Sequence, residues 1–219
     1  MSIDRPYPNV TVYLSSSESL HPAYRTMARD FGSRLARTGR TLVYGGGGVG
    51  LMGEVARAFR AQGGHVVGII TERLRDAEQM DPDNHETIVV TTMRERKRLL
   101  ELRGDAFVIL PGGLGTLEEF FEILVGRLLG EHDKPIIILN ADDPEPELPG
   151  NPPGRFYAAL LDMIDQLIAS RFASPGVRSL FSVCDTPEEV VALLDEPSRL
   201  AAPSAEVRIR MTPSGVMRT

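Results

Sequence analysis

Two short segments carry residue types that bind and transform an anionic substrate. The first reads PGGLGT at residues 111–116 and is followed at once by Glu118 and Glu119. Three glycines leave backbone N–H groups open to a ligand, and a threonine hydroxyl at a helix start suits a phosphate. The second segment, MRERK at residues 93–97, groups three cations. Together the two segments predict an anion site beside a carboxylate.

Each segment also has an ordinary structural interpretation. Glutamates in the first turn of a helix complement its dipole, and a basic run on a helix is commonly a solvated face. The basic run, however, starts a predicted helix, at the end where cations are unfavourable. A bound anion or an acidic partner would offset that arrangement, which favours the functional interpretation.

A further glycine-rich segment, GGGGVGLMG at residues 45–53, lies between a predicted strand and a predicted helix. It contains G-x-G-x-x-G at Gly45, Gly47 and Gly50, with Glu72 about twenty residues further on, as in dinucleotide-binding turns. Four consecutive glycines match many patterns by chance, and this turn follows the second predicted strand rather than the first. Anion binding, dinucleotide binding and a tight turn needed only for packing therefore all stay open.

Apolar, β-branched runs alternate with segments of helical period from residue 10 to residue 195. Predicted strands cover residues 10–15, 41–44, 65–70, 87–90, 106–110, 135–139 and 178–183. Predicted helices cover residues 22–38, 51–62, 93–103, 116–129, 156–170 and 187–195.

This alternation predicts an α/β fold with a doubly wound, Rossmann-like parallel sheet and helices on both faces. We expect a single nucleotide-binding domain over residues 1–195, an exposed Pro-rich loop over residues 142–153, and a flexible tail over residues 196–219. Ligands of such sheets bind beyond the carboxyl ends of the strands. Both glycine segments and the start of the basic helix are therefore expected to meet at one crevice.

Composition excludes several function classes. The chain has 219 residues, a net charge of −6 and one cysteine, Cys184. We therefore expect no nucleic-acid partner, no disulfide framework and a buried structural thiol. Neither a membrane span nor a signal peptide is apparent, which predicts a cytoplasmic protein without a membrane partner.

Other catalytic patterns are weak. The four histidines are scattered, and Asp81, Asp83 and His85 cluster in a polar stretch typical of a solvated loop. The serine run at residues 15–17 lacks a G-x-S-x-G context, and nothing marks a pyridoxal-phosphate lysine. We expect neither a metal nor another cofactor.

The chain resembles the LOG family, the cytokinin riboside 5′-monophosphate phosphoribohydrolases, whose members are often mislabelled as lysine decarboxylases. The family is marked by PGGxGTxxE, here at residues 111–119, and by an upstream M-x-x-R-K, here at residues 93–97. LVYGGGxxGLMG at residues 42–53 and LGxHxKP at residues 129–135 also match. The first strand ends in Leu14-Ser15-Ser16 where the family usually has Cys-Gly-Ser, which leaves the identity of the base open.

The resemblance implies hydrolysis of the N-glycosidic bond of a purine nucleoside 5′-monophosphate, giving free base and ribose 5-phosphate. Arg96 and Glu119 then form the catalytic pair, with Glu119 stabilising positive charge on the ribose. The implied substrate contacts are Gly46, Gly47, Glu78, Met93, Lys97, Gly112, Gly113, Leu114, Gly115, Thr116, Leu117 and Glu118. The resemblance also implies a homodimer or a larger homo-oligomer.

Two other classes of protein stay open. A non-catalytic nucleotide or cofactor carrier could use the same sheet and glycine turns, although it would not need an arginine and a glutamate at this spacing. A dinucleotide-dependent enzyme would bind NAD(P). Release of free base from a nucleoside monophosphate distinguishes both from a hydrolase.

Overall fold

Seven short apolar segments form one sheet in the computed structural model, which describes residues 6–77, 80–144 and 154–201. The strands are β1 (Asn9–Tyr13), β2 (Thr41–Tyr44), β3 (His65–Thr71), β4 (Glu86–Val90), β5 (Ala106–Ile109), β6 (Ile136–Leu139) and β7 (Ser182–Cys184). Their order is β4-β3-β2-β1-β5-β6-β7, and every neighbouring pair is parallel. The predicted doubly wound α/β fold is confirmed.

Helices cover both faces of the sheet because successive strand residues point to opposite sides. The helices are α1 (Pro22–Arg37), α2 (Gly50–Ala61), α3 (Glu72–Ala77), α4 (Met93–Arg103), α5 (Leu114–Leu129), α6 (Ala158–Ala169) and α7 (Pro187–Asp195). Val10 and Val12 of β1 belong to the core under α1, α2 and α7. Tyr13 belongs to the opposite core, under α4, α5 and α6.

The chain reverses its direction of winding at β1 and β5. Strands β1 to β4 are added outward on one side of the sheet, and β5 to β7 on the other. Tyr13 at the end of β1 lies opposite Ile109 at the end of β5. A crevice at such a reversal, beyond the carboxyl ends of the strands, is where open α/β sheets bind ligands.

The observed elements differ from the predicted ones in several places, among them the end of β1 (Tyr13, predicted at residue 15) and the start of α6 (Ala158, predicted at residue 156). The strand prediction over residues 178–183 is wrong in its first half, because Pro175–Leu180 form a 3-10 helix and Leu180 packs into the core. Helix α3 was not predicted, since six residues offer too little periodicity. Helix α5 begins two residues earlier than predicted, with Gly113 as its N-cap.

Packing extends beyond the expected domain end at residue 195. Pro197–Arg199 form a 3-10 turn, Leu200 is buried against the core, and the Arg127 side chain donates to the Ala201 carbonyl. Residues 202–219 and residues 145–153 of the Pro-rich loop lie outside the described residues. No helix in the described ranges is both long and apolar enough to cross a membrane.

Candidate active site

A cavity of about 360 Å³ lies at the carboxyl ends of β1, β2 and β5, where the winding reverses. It is lined by Val12, Tyr13, Leu14, Ser15, Ser16, Ser17, Gly45, Met52, Leu74, Met93, Arg96, Gly113, Leu114, Gly115, Thr116, Glu118 and Glu119. The cavity thus brings together the start of α4, the start of α5 and the segment that follows β1.

Arg96 is a buried cation held by the backbone, with only 6% of its surface exposed. Its Nε donates to the Ile69 carbonyl at 3.0 Å and its Nη2 to the Gly45 carbonyl at 3.3 Å. A Cβ at Gly45 would lie 2.3 Å from Nη2, so the guanidinium occupies the space that a side chain would take. These contacts leave Nη1 facing Glu119, with 3.8 Å between Nη1 and Oε1.

Glu119 lies in α5 with 13% of its side chain exposed, which places a carboxylate at the cavity wall. Tyr13 lines the cavity from β1 and is almost fully buried. Burial, together with the negative charge of Glu119, raises the pKa of the Tyr13 hydroxyl well above its ordinary value. The cavity wall therefore carries a carboxylate, a fixed guanidinium and a neutral phenol.

The β5–α5 junction, residues 110–116, presents backbone to the cavity. No side chain caps the start of α5. A Cβ at Gly113 or at Gly115 would meet nothing within 4 Å, and both glycines line the cavity. Gly112 differs, because a Cβ there would lie 2.2 Å from the Thr116 hydroxyl oxygen. The positive end of the helix dipole and its first amides therefore face an open space that suits an anion.

The β2–α2 junction, residues 45–53, does not offer such a site. The amides of Leu51 and Met52 at the start of α2 donate to the Ser15 carbonyl, at 3.0 and 3.4 Å. Gly46 and Gly50 have φ angles of +81° and +56°. These two amides are therefore not available to an anion, because the carbonyl of the protein's own loop already occupies them.

The structure brings together some of the sequence-predicted site residues and separates others. The predicted residues that line the cavity are Met93, Arg96, Gly113, Leu114, Gly115, Thr116, Glu118 and Glu119. The described residues Gly46, Gly47, Lys97, Gly112 and Leu117 lie outside that lining. Glu78 falls outside the described residues.

Lys97 is directed at carboxylates of α5. Its ammonium binds Glu118 and lies 3.1 Å from Glu122. The hydrogen bonds to Glu118 and Glu122 raise the pKa of Lys97. The lysine therefore joins α4 to α5 and lies outside the lining of the cavity, although the resemblance implied a substrate contact for it.

Sequence reasoning noted Leu14, Ser15 and Ser16 as a departure from the family pattern but did not include the end of β1 and the segment after it among the substrate contacts. Residues 13–17 supply five of the lining residues, and Met52 of α2 and Leu74 of α3 supply two more. A serine run has no motif of its own. The available signal was topological, because the loop after the first strand of a doubly wound sheet commonly lies at the reversal point.

The outcomes for Asp81 and Cys184 are clear. Asp81 is buried and forms an ion pair with Arg60 at 2.9 Å, so the expectation of a solvated loop is wrong at this residue. Cys184 is buried as expected, and burial raises the pKa of its thiol to about 11. Within the described ranges, no group of three His, Cys, Asp or Glu side chains is placed to hold a metal ion.

Comparison with known proteins places this chain in a family. A family model described as possible lysine decarboxylase matches residues 52–194. A cytokinin riboside 5′-monophosphate phosphoribohydrolase of Arabidopsis thaliana is 36% identical over 87% of this chain and 83% of its own length. A probable enzyme of the same name from Oryza sativa subsp. japonica is 39% identical over 87% of this chain and 78% of its own. The chain belongs to the LOG family.

Solved structures agree with this placement at the level of fold. The TM1055 protein is 25% identical to this LOG-family chain, with a TM-score of 0.60 over 86% of this chain and 98% of its own. The molybdenum cofactor binding protein of Rippkaea orientalis has a TM-score of 0.62 over 90% of this chain and 99% of its own. Its identity is 21%, so that likeness shows the fold alone.

Proposed function

We propose that this chain hydrolyses the N-glycosidic bond of a purine nucleoside 5′-monophosphate, with or without an N6 substituent, to free base and ribose 5-phosphate. The observation that carries the proposal is the pairing of Arg96 and Glu119 at the wall of a cavity that the open start of α5 also lines. The names of the curated relatives support the same reaction.

The start of α5 is the proposed phosphate site. Gly113 and Gly115 leave space for phosphate oxygens to approach the backbone, and the amides of the first turn donate to them. No lysine is needed at this position, since the helix end itself favours a negative group. The 5′-phosphate therefore fixes one end of the substrate and directs the ribose along α5 towards Glu119.

Glu119 is the proposed stabiliser of the reacting ribose. Cleavage of an N-glycosidic bond develops positive charge on the sugar, by analogy with the oxocarbenium-like transition state of glycoside hydrolysis. A carboxylate in a partly desolvated cavity stabilises that charge more strongly than it would in water. The same carboxylate can hold the ribose hydroxyls or orient the attacking water.

Arg96 is the proposed partner of Glu119. Two of its nitrogens are held by carbonyl groups, so the third is presented to the carboxylate without freedom to swing away. A guanidinium stays charged at every physiological pH. Arg96 therefore orients Glu119, and it can stabilise negative charge on the phosphate or the departing base.

We further propose that the chain acts as a homodimer or a larger assembly through the face formed by α4, α5 and α6. That face carries partly or fully exposed apolar side chains at Met93, Leu102, Leu114, Val125, Leu129, Met163 and Leu167. Three of them, in α5, recur at helical spacing along a single stripe. Apolar area of this kind is typical of a surface covered by a partner.

The proposed reaction is tested by incubating the purified protein with AMP and with N6-isopentenyl-AMP and measuring free base by chromatography. We expect release by the wild type and none by Arg96→Ala or Glu119→Ala, with circular dichroism showing that both variants stay folded. Near-normal turnover by either variant would refute the assignment. Failure of the wild type on these and other nucleoside monophosphates would favour a carrier.

A further inference from the structure

A buried ion pair, Arg60–Asp81, lies outside the lining of the cavity. Asp81, between α3 and β4, is only 4% exposed, and its Oδ2 lies 2.9 Å from Nη2 of Arg60 on α2. Its Oδ1 accepts the Asp83 amide at 3.0 Å. Desolvation makes a buried ion pair a poor source of net stability. The pair therefore calls for an explanation other than stability.

The segment that carries Asp81 is bonded to the β2–α2 junction. The Asp81 amide donates to the Gly46 carbonyl at 3.0 Å, and Met80 forms a β-bridge with Gly47. The side-chain amide of Asn84 donates to the same Gly46 carbonyl at 3.5 Å. The Tyr44 hydroxyl in turn donates to the Asn84 carbonyl oxygen at 2.9 Å.

The carbonyl of the preceding residue, Gly45, binds Arg96. Gly46 follows Gly45, whose carbonyl accepts a hydrogen bond from Nη2 of Arg96. Gly46 has a φ of +81°, and a Cβ on Gly68 of β3 would lie 2.8 Å from its Cα. The turn is thus held between β3 and the Asp81 segment. A shift of the Gly46 peptide would move the Gly45 carbonyl and with it the guanidinium.

We infer that the Arg60–Asp81 pair is a positioning element for Arg96, acting through the Gly45–Gly46 turn. The pair fixes the Asp81 segment, that segment fixes the Gly46 carbonyl, and the turn then aims Nη1 of Arg96 at Glu119. This inference rests on the proposed function, because it assigns a role in the same reaction. Both residues act through Arg96 and neither lines the cavity.

The expected effect of breaking the pair is on turnover. A displacement of about 1 Å at a reacting group can lower a rate by about 100-fold. For Asp81→Asn we expect kcat to fall by about 10- to 100-fold, with a smaller change in KM, since the phosphate site on α5 is not involved. Asparagine keeps the size of the side chain and the acceptor for the Asp83 amide, but an NH2 group replaces the oxygen that faces Arg60. The substitution therefore removes both the charge and the hydrogen bond to Arg60.

Two further variants make the test specific. Arg60→Lys keeps the positive charge and should restore part of the turnover lost in Arg60→Met. Arg60→Met, which breaks the same pair from the other side, also serves as the test variant if Asp81→Asn does not fold. Glu86→Gln is the matched control, because it removes an exposed ion pair with Arg103 (3.1 Å) only five residues from Asp81. We expect Glu86→Gln to keep the wild-type kcat.

A second measurement does not depend on activity. The Nε–H of Arg96 donates to the Ile69 carbonyl, and its ¹⁵N resonance can be assigned by its loss in Arg96→Lys. We expect a single sharp signal in the wild type and in Glu86→Gln, and a shifted or broadened signal in Asp81→Asn.

The outcomes separate the two proposals. If Asp81→Asn lowers the melting temperature but leaves both kcat and the Arg96 resonance unchanged, the pair is only structural and the inference is overturned. If the wild type releases no base from any nucleoside monophosphate, the proposed function fails. The Arg96 resonance then still decides whether the pair positions the guanidinium.

Discussion

The β2–α2 junction and the β5–α5 junction are both glycine-rich connections from a strand to a helix, but the protein's own atoms fill the space at Gly45 and Gly50 of the first and leave it open at Gly113 and Gly115 of the second. At the β2–α2 junction the missing side chain of Gly45 makes room for Arg96, and that of Gly50 makes room for the backbone of Ser16. At the β5–α5 junction Gly113 and Gly115 face open space in the cavity.

The helix starts differ in the same way. Neither helix has a side-chain cap, but the first amides of α2 donate to the Ser15 carbonyl, whereas Gly113 and Gly115 at the start of α5 face open space. Glycine at a strand-to-helix connection therefore has two uses here. One is close approach of protein to protein, which builds the support for Arg96. The other is close approach of a ligand, which we propose is the 5′-phosphate.

Gly50→Ala tests the first use and should have the largest effect. A Cβ there would lie 2.5 Å from the Ser16 carbonyl carbon, at a φ of +56°. We expect a loss of about 3 kcal/mol or more in the free energy of unfolding, measured in urea. Gly63→Ala is the control, because Gly63 has a φ of +78° but no atom within 4 Å. Gly63→Ala should lose only the free energy that a left-handed backbone conformation costs an alanine, about 1–2 kcal/mol. Equal losses would mean that the contact with Ser16 is unimportant.

Gly45→Ala tests whether the β2–α2 junction supports catalysis through Arg96. The new methyl must displace Nη2, which it would approach to 2.3 Å. We expect kcat for base release to fall by about 100-fold. Gly64→Ala creates a comparable clash, 2.2 Å from the Phe59 ring, at a position outside the cavity lining. That control should lose stability and keep its kcat. A normal kcat in Gly45→Ala would contradict the proposal that the β2–α2 junction supports catalysis by positioning Arg96.

Gly115→Ala tests the second use of glycine. The methyl would enter the cavity and crowd the phosphate, so we expect KM for AMP to rise by about tenfold, equivalent to about 1.4 kcal/mol. Stability should stay the same or improve, since alanine is favoured over glycine in a helix by about 0.5–1 kcal/mol. Gly126→Ala, in the same helix and outside the cavity lining, should keep KM unchanged. An unchanged KM in Gly115→Ala would contradict a ligand at this helix start.

Lys97→Gln should have the smallest effect, because Lys97 binds Glu118 and Glu122 beside the β5–α5 junction. We expect a change in KM below about threefold, since exposed ion pairs are worth about 0–1 kcal/mol. Steady-state kinetics at two salt concentrations would measure it. A tenfold rise in KM would instead place Lys97 on the substrate phosphate, as the sequence motif suggested.

Most of the fold could be predicted from the sequence because the strands are continuous apolar runs and the helices are amphipathic. The exceptions are physically explicable. Helix α3 is too short to show a period, and the apolar residues near Leu180 pack into the core from a 3-10 helix instead of a strand. The spacing of apolar residues indicates which side chains are buried. It does not distinguish a strand from a 3-10 helix when either conformation would bury the same side chains.

Only the residues of the candidate site that belong to a recognisable sequence motif could be predicted. Arg96, Glu119 and the glycines at residues 113 and 115 lie together at the cavity, as expected from their position at one sheet edge. Tyr13 and the serines that follow it were missed, because their place depends on β1 being the neighbour of β5. The occupied amides of α2 were also not predictable, since a carbonyl 36 residues before Leu51 fills them. The order of the strands in the sheet determines both the position of residues 13–17 and the contact between Ser15 and α2. No local sequence pattern predicts that order.

The most direct test is an amide chemical-shift titration of Glu119→Gln with AMP, a variant chosen so that the nucleotide is not consumed. We predict large shifts for the amides of residues 113–116 at the start of α5, and no comparable shift for those of Leu51 and Met52 at the start of α2. Shifts confined to Leu51 and Met52, with residues 113–116 unchanged, would contradict the account.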